Sequence, residues 1–109
     1  MSKANKARGE VSATLGDSEF TFCATLGALA EIETALDVDS VSLALLKVSK
    51  GSVKAMTAIL ESSLTDTARV DELRGVVATP QELADVVFQI FNASGMLKDS
   101  GEAQEAGNG

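Results

Sequence analysis

The chain has 109 residues, 45% of them apolar, and a formal net charge of -7; a length of this order supports one domain with one modest core. Aromatics make up only 4%, all Phe, so that core must be built mainly from Leu, Val, Ile and Ala. The acidity argues against phosphate-backbone binding, which rests on Lys and Arg, and the lack of any histidine removes the commonest general base and the commonest metal ligand together.

Residues 1–8 carry almost nothing apolar and are expected to form a flexible basic N-terminus, with Lys3, Lys6 and Arg8. Three basic residues are a weak basis for a nucleic-acid interface, and none is expected. No continuous apolar stretch follows them, so no secretory signal is read. No apolar run approaches the roughly 18–20 residues that a membrane span needs. The single cysteine, Cys23, cannot form an internal disulfide and fits a reducing compartment. A cytoplasmic protein that makes no membrane contact is the expectation.

Val11, Ala13 and Leu15 alternate with Ser12 and Thr14, and Phe20, Phe22 and Ala24 alternate with Thr21 and Cys23. This period of two on either side of Gly16-Asp17-Ser18-Glu19 predicts a β-hairpin with a four-residue connection. One face, with Val11, Leu15, Phe20 and Phe22, needs a cover, and helices must supply it because a lone hairpin is marginal.

Leu29, Ile32 and Leu36 fall within about 60° of one another on a helix, which predicts a helix over 26–37. Asp37-Val38-Asp39-Ser40 breaks it, and Ser40 is placed to cap a second helix over 41–49. Gly51 ends that helix, and Ser52 caps a third over 53–64 with the stripe Val53, Met56, Ile59, Leu60 and Leu64. Val70 and Leu73 predict one or two turns before Gly75. Thr79-Pro80-Gln81-Glu82 combines a capping box with proline at the first helical position. The helix it opens is expected to reach about 94, burying Leu83, Val86, Val87, Ile90 and Phe91. The fold class is therefore α+β: an N-terminal β-hairpin packed on a bundle of four to five short helices. The domain is expected over 9–97, with a disordered acidic tail over 98–109.

Catalytic constellations do not assemble. Cys23 has no base near it in the sequence and is read as a small strand filler on the second face of the hairpin. Glu31 and Glu33 point about 200° apart on a helix and cannot share a substrate. Glu33 and Asp37 do neighbour each other, as like charges on a solvated rim. Asp37-Val38-Asp39 opens like a calcium loop, but the sixth position is Ser42 rather than Gly and the twelfth is Val48 rather than Glu. With no phosphate-binding glycine loop either, no catalytic, metal or cofactor site is expected, and the protein is read as a non-enzyme.

Two features point to a partner instead. Taking Val41 as origin, Leu45 and Val48 lie within about 40°, whereas Leu43 and Leu46 fall near 200° and 140°. Apolar residues thus surround the second helix, which is either fully buried or shows one face to another chain. Phe88 lies about 140° from Leu83, off its own stripe; it either packs against the 66–78 segment or anchors a partner. Leu43, Leu46 and Phe88 are the candidate partner-binding residues.

The opening Arg8-Gly9-Glu10-Val11, the hairpin, and then Thr25-Leu26-Gly27-Ala28-Leu29-Ala30-Glu31-Ile32-Glu33 resemble the gene transfer agent tail protein family, described as phage tail tube or tail-assembly chaperone proteins. Its members share an R-G-E-V strand and a G-A-L-A-E-[LI]-E helix. The likeness covers residues 8–64 well and the Thr79–Phe91 helix in general character, and does not extend to 66–78. It implies a tail-assembly chaperone that binds the tape-measure protein or other tail proteins in a bacterial host. A structural tail tube or tube-end subunit, associated with the virion, is the alternative. The shortage of strand signals favours the chaperone, because a tube ring needs a substantial sheet. Self-association is compatible with both. A small regulatory or nucleic-acid-binding module is a third reading, opposed by the net charge.

Overall fold

The computed structural model describes residues 9–95. The flexible N-terminus and the acidic tail expected from the sequence lie outside the described residues, as does the domain limit at 97. Within them, the chain runs β1 (Glu10–Leu15), β2 (Ser18–Cys23), α1 (Leu26–Leu36), α2 (Val41–Ser49), α3 (Val53–Ser63), a single 3-10 turn at Thr67–Arg69, α4 (Val70–Arg74) and α5 (Pro80–Ser94). This is the α+β hairpin-and-helices architecture read from the sequence.

The hairpin departs from expectation at its turn. Leu15 pairs with Ser18, so the connection is the two residues Gly16-Asp17 rather than four. Gly16 takes φ +63 while Asp17 stays at negative φ. Glycine at the first central position with positive φ is the II′ pattern, whose twist matches that of the strands. Ser18 and Glu19 therefore belong to β2. The register sets Val11 opposite Phe22 and Ala13 opposite Phe20, which gathers Ala13, Leu15, Phe20 and Phe22 on the buried face. α5 covers that face mainly along β1, and α3 packs centrally against α1, α2 and α5.

The helix starts follow local chemistry. Thr25, Ser40, Ser52 and Thr79 each accept a hydrogen bond from a backbone N–H in the first turn, which satisfies donors that have no partner inside the helix. At α5 the box closes in both directions: Thr79 N donates to Glu82 Oε1 at 2.8 Å and Glu82 N donates to Thr79 Oγ1 at 3.1 Å. α2 ends with Gly51 at φ +90. There Gly51 N donates to Val48 O and Ser52 N to Lys47 O, the paired bonds of a Schellman end. One core runs through all of these elements, from Phe20 and Phe22 through Ile32, Val48, Met56 and Ile59 to Ile90 and Phe91. Val53 is the exception in the predicted α3 stripe: as the first helical residue it projects past its cover and is 46% exposed.

Candidate partner-binding surfaces

α2 lies at the margin of the bundle, flanked by α1 and α3. Val41, Ala44 and Val48 face inward and are buried, while Leu45 is half-buried. Leu43 and Leu46, one turn apart, are 43% and 48% exposed. The helix is therefore not fully buried, the first of its two sequence alternatives, and an apolar face remains in water. A soluble chain keeps large apolar side chains paired at helical spacing in water at a solubility cost, so the ridge is a candidate contact surface.

Phe88 does not pack against the 66–78 segment, the first of its two expectations. It is half-buried against the core and lines a groove with Val48, Ser49, Gly51, Met56, Pro80, Gln81 and Ala84. Its neighbours are thus the C-terminal end of α2 and the start of α5, and the 66–78 segment contributes nothing to the groove lining. The groove touches α2, but neither Leu43 nor Leu46 lines it. The three candidates therefore form a two-residue ridge and a separate groove.

A second hollow of about 270 Å³ was not anticipated from sequence. Leu15, Val53, Leu60, Leu73, Val76 and Leu83 supply its apolar walls. At its rim the Arg74 guanidinium donates to both carboxylate oxygens of Glu61, at 2.7 and 3.1 Å, and this contact raises the arginine's affinity for its proton. The wall residues come from five elements and loops, so no single periodicity announces it.

The two edges of the hairpin are unlike. On β2 the outward carbonyls are all taken: Arg69 Nη1 donates to Glu19 O at 2.8 Å, Thr65 donates to Thr21 O from both its N and its Oγ1 at 3.0 Å, and Thr25 N donates to Cys23 O at 3.1 Å. An isolated bridge between Phe22 and Leu64 adds to this closure. Arg69 is held in place from two sides, 4.4 Å above the Phe20 ring and 2.8 Å from Glu72 Oε1. Its hydrogen bond, followed by that from Ser18 Oγ, keeps the Glu72 carboxyl below the usual carboxylate range. Because residues 19, 21 and 23 of β2 face outward, their register partners Thr14, Ser12 and Glu10 face outward on β1. The backbone groups of Ser12 and Thr14 on that side meet no hydrogen-bond partner among the described residues.

Among the described residues no three His, Cys, Asp or Glu side chains approach a metal-binding arrangement, and no helix is long and apolar enough to cross a membrane. A family model described as phage tail tube protein, GTA-gp10, matches residues 8–94. No curated protein and no solved structure matches the chain.

Proposed function

Since this chain belongs to the phage tail tube protein family, GTA-gp10, we propose that it serves tail morphogenesis as an assembly chaperone, holding the tape-measure protein or another tail protein soluble until the tube forms. The observation that carries this reading is the α2 ridge: Leu43 and Leu46 stand in water on a helix whose opposite face is in the core. An exposed apolar ridge beside a groove suits an amphipathic helix laid across it. The net charge of -7 supplies solubility to the complex. Binding of this kind needs no catalytic group and no cofactor.

Co-expression with the tape-measure protein of the same gene cluster tests it. Soluble co-purification that is weakened by Leu43→Asp or Leu46→Asp, in variants with unchanged circular dichroism, supports the proposal. Phe88→Ala tests the groove separately from the ridge. A second reading, a subunit retained in the tail tube, is favoured by the family's own description. Against it stands the two-stranded sheet, whose β2 edge is occupied by the chain itself; a ring built by sheet extension needs two open edges. Stoichiometric amounts in finished particles, with no tape-measure co-purification, would establish the tube reading and end the chaperone one.

A further inference from the structure

The leucines of the α2 ridge share their face with two cations. Leu43, Leu46, Lys47 and Lys50 fall within about 100° of one another at helical spacing, and all four are exposed. Lys50 N donates to Leu46 O at 3.1 Å, which carries the last turn of α2 through Lys50. We propose that this face takes an acidic amphipathic helix, whose apolar side chains lie on Leu43 and Leu46 and whose carboxylates meet Lys47 and Lys50. The inference rests on the reading of α2 as the docking surface and adds the charge of the segment that binds there.

Charge selects this occupant. The chain carries a net charge of -7, yet between Asp39 and Glu61 it holds no carboxylate and three lysines, Lys47, Lys50 and Lys54. This segment is a cationic stretch in an acidic chain, the kind of contrast that orients an approaching partner. The arginines of the described residues are committed elsewhere: Arg69 is held by Glu72 at 2.8 Å and Arg74 by Glu61 at 2.7 Å. The helix macrodipole by itself favours a cation in the last turn. It gives no reason for two leucines beside it, and Lys47 and Lys50 are like charges one turn apart, an arrangement that opposes helix formation. An extended polyanion, such as a nucleic acid or an anionic bilayer, would meet the acidic surface around these lysines and be repelled by it. A single helix reaches the α2 face alone. Leu43 to Lys50 span about 10 Å of helix axis, two turns, which matches the i, i+3, i+4 and i+7 anchors of one amphipathic helix.

The probes are two synthetic helical peptides with leucines at i, i+3, i+4 and i+7, one flanked by glutamates and the other by lysines. The readout is binding to the full chain by fluorescence anisotropy at low and high salt, and binding at the ridge is the part lost in the double variant Leu43→Gln, Leu46→Gln. The expected result is ridge binding of the glutamate peptide that salt weakens. The double variant Lys47→Glu, Lys50→Glu should weaken it by about tenfold, since two rim pairs turn from attraction to repulsion, and the lysine peptide should gain by the same change. Lys47→Gln with Lys50→Gln keeps the helix propensity and gives a smaller loss in the same direction, which decides if the charge-reversed chain does not fold. Anionic phospholipid vesicles and duplex DNA are the remaining arms, and neither should bind at the ridge. The proposal is overturned if the ridge binds neither peptide, binds both equally or prefers the lysine peptide. It is overturned equally if vesicles or DNA bind there and the glutamate peptide does not. The same variants separate this failure from that of the chaperone reading. Tape-measure co-purification that depends on Leu43 and Leu46 but is indifferent to Lys47 and Lys50 overturns the acidic partner alone, whereas indifference to all four overturns the ridge in both.

Discussion

Replacing Leu43 and Leu46 together by Gln asks whether the α2 ridge belongs to the core or to a partner. Full burial of a leucine side chain is worth about 1.5–3 kcal/mol. With 43% and 48% of these residues already in water, each change removes at most about 1–1.5 kcal/mol, and area-based figures are upper bounds. Gln and Leu have similar helix propensities, so the helix itself is hardly affected. The double variant should therefore lose no more than about 2–3 kcal/mol. Val48→Gln on the opposite face is the control. Val48 is 2% exposed, and a buried unpaired amide adds about 1–3 kcal/mol to the lost transfer energy. That single change should destabilise the fold at least as much as the two ridge changes together. Urea unfolding followed by circular dichroism gives both values, and co-purification with the tape-measure protein gives the binding effect. A double variant far less stable than Val48→Gln would mean that the ridge is structural. A stable double variant that still binds as the wild type does would refute the ridge as the docking surface.

Thr79→Ala removes one arm of the capping box on α5 and should cost about 1 kcal/mol in thermal or urea unfolding. Ser63 is buried, but its Oγ donates at 2.6 Å to Ile59 O, a carbonyl that is also a helix acceptor; Ser63→Ala should change stability by less than about 1 kcal/mol. Glu72 has a depressed folded-state pKa, so its contribution is present above the ordinary carboxylate range and is lost as pH falls through the depressed value. Glu72→Gln should accordingly flatten part of the acid limb of an unfolding-against-pH profile. Thr65→Pro combined with Arg69→Ala frees the carbonyls of Thr21 and Glu19 on β2, and light scattering should then report species larger than those of the wild type. An unchanged mass distribution in a folded variant would show that edge closure does not limit assembly.

Much of the fold was legible because its determinants are local. The N-caps at Ser40 and Ser52, the capping box at Thr79 and the glycine end of α2 each depend on residues within one helical turn, and each stands where the sequence put it; the Thr25 cap of α1 was not read from the sequence. The hairpin faces followed from period-two alternation. The turn length did not, because Gly16-Asp17-Ser18-Glu19 is uniformly turn-like in composition, and the II′ geometry that ends the loop at Asp17 depends on a backbone angle. For the candidate surface, angular bookkeeping separated Leu43 and Leu46 from Val41 and Val48. It could not say whether a second layer covers them, since that depends on where α1 and α3 lie. Phe88 shows the same limit: its angle placed it off the stripe, yet its neighbour proved to be the end of α2, some 40 positions away in sequence.

The difference between the hairpin edges was wholly hidden in the sequence, and its cause is instructive. β1 and β2 are both six-residue strands, and nothing in either marks one as open. Closure is imposed on β2 by Thr65 and Arg69, donors that lie 44 and 50 positions from the carbonyls they reach. Arg69 is steered there by three contacts at once: the Phe20 ring, Glu72 and Glu19 O. The exposed ion pair with Glu72 contributes little to folding by itself; what the placement does is occupy the Glu19 carbonyl on the β2 edge. Its consequence is directional. With the carbonyls of Glu19, Thr21 and Cys23 taken by the chain itself, the sheet of this phage tail family member is blocked from extension on the β2 side.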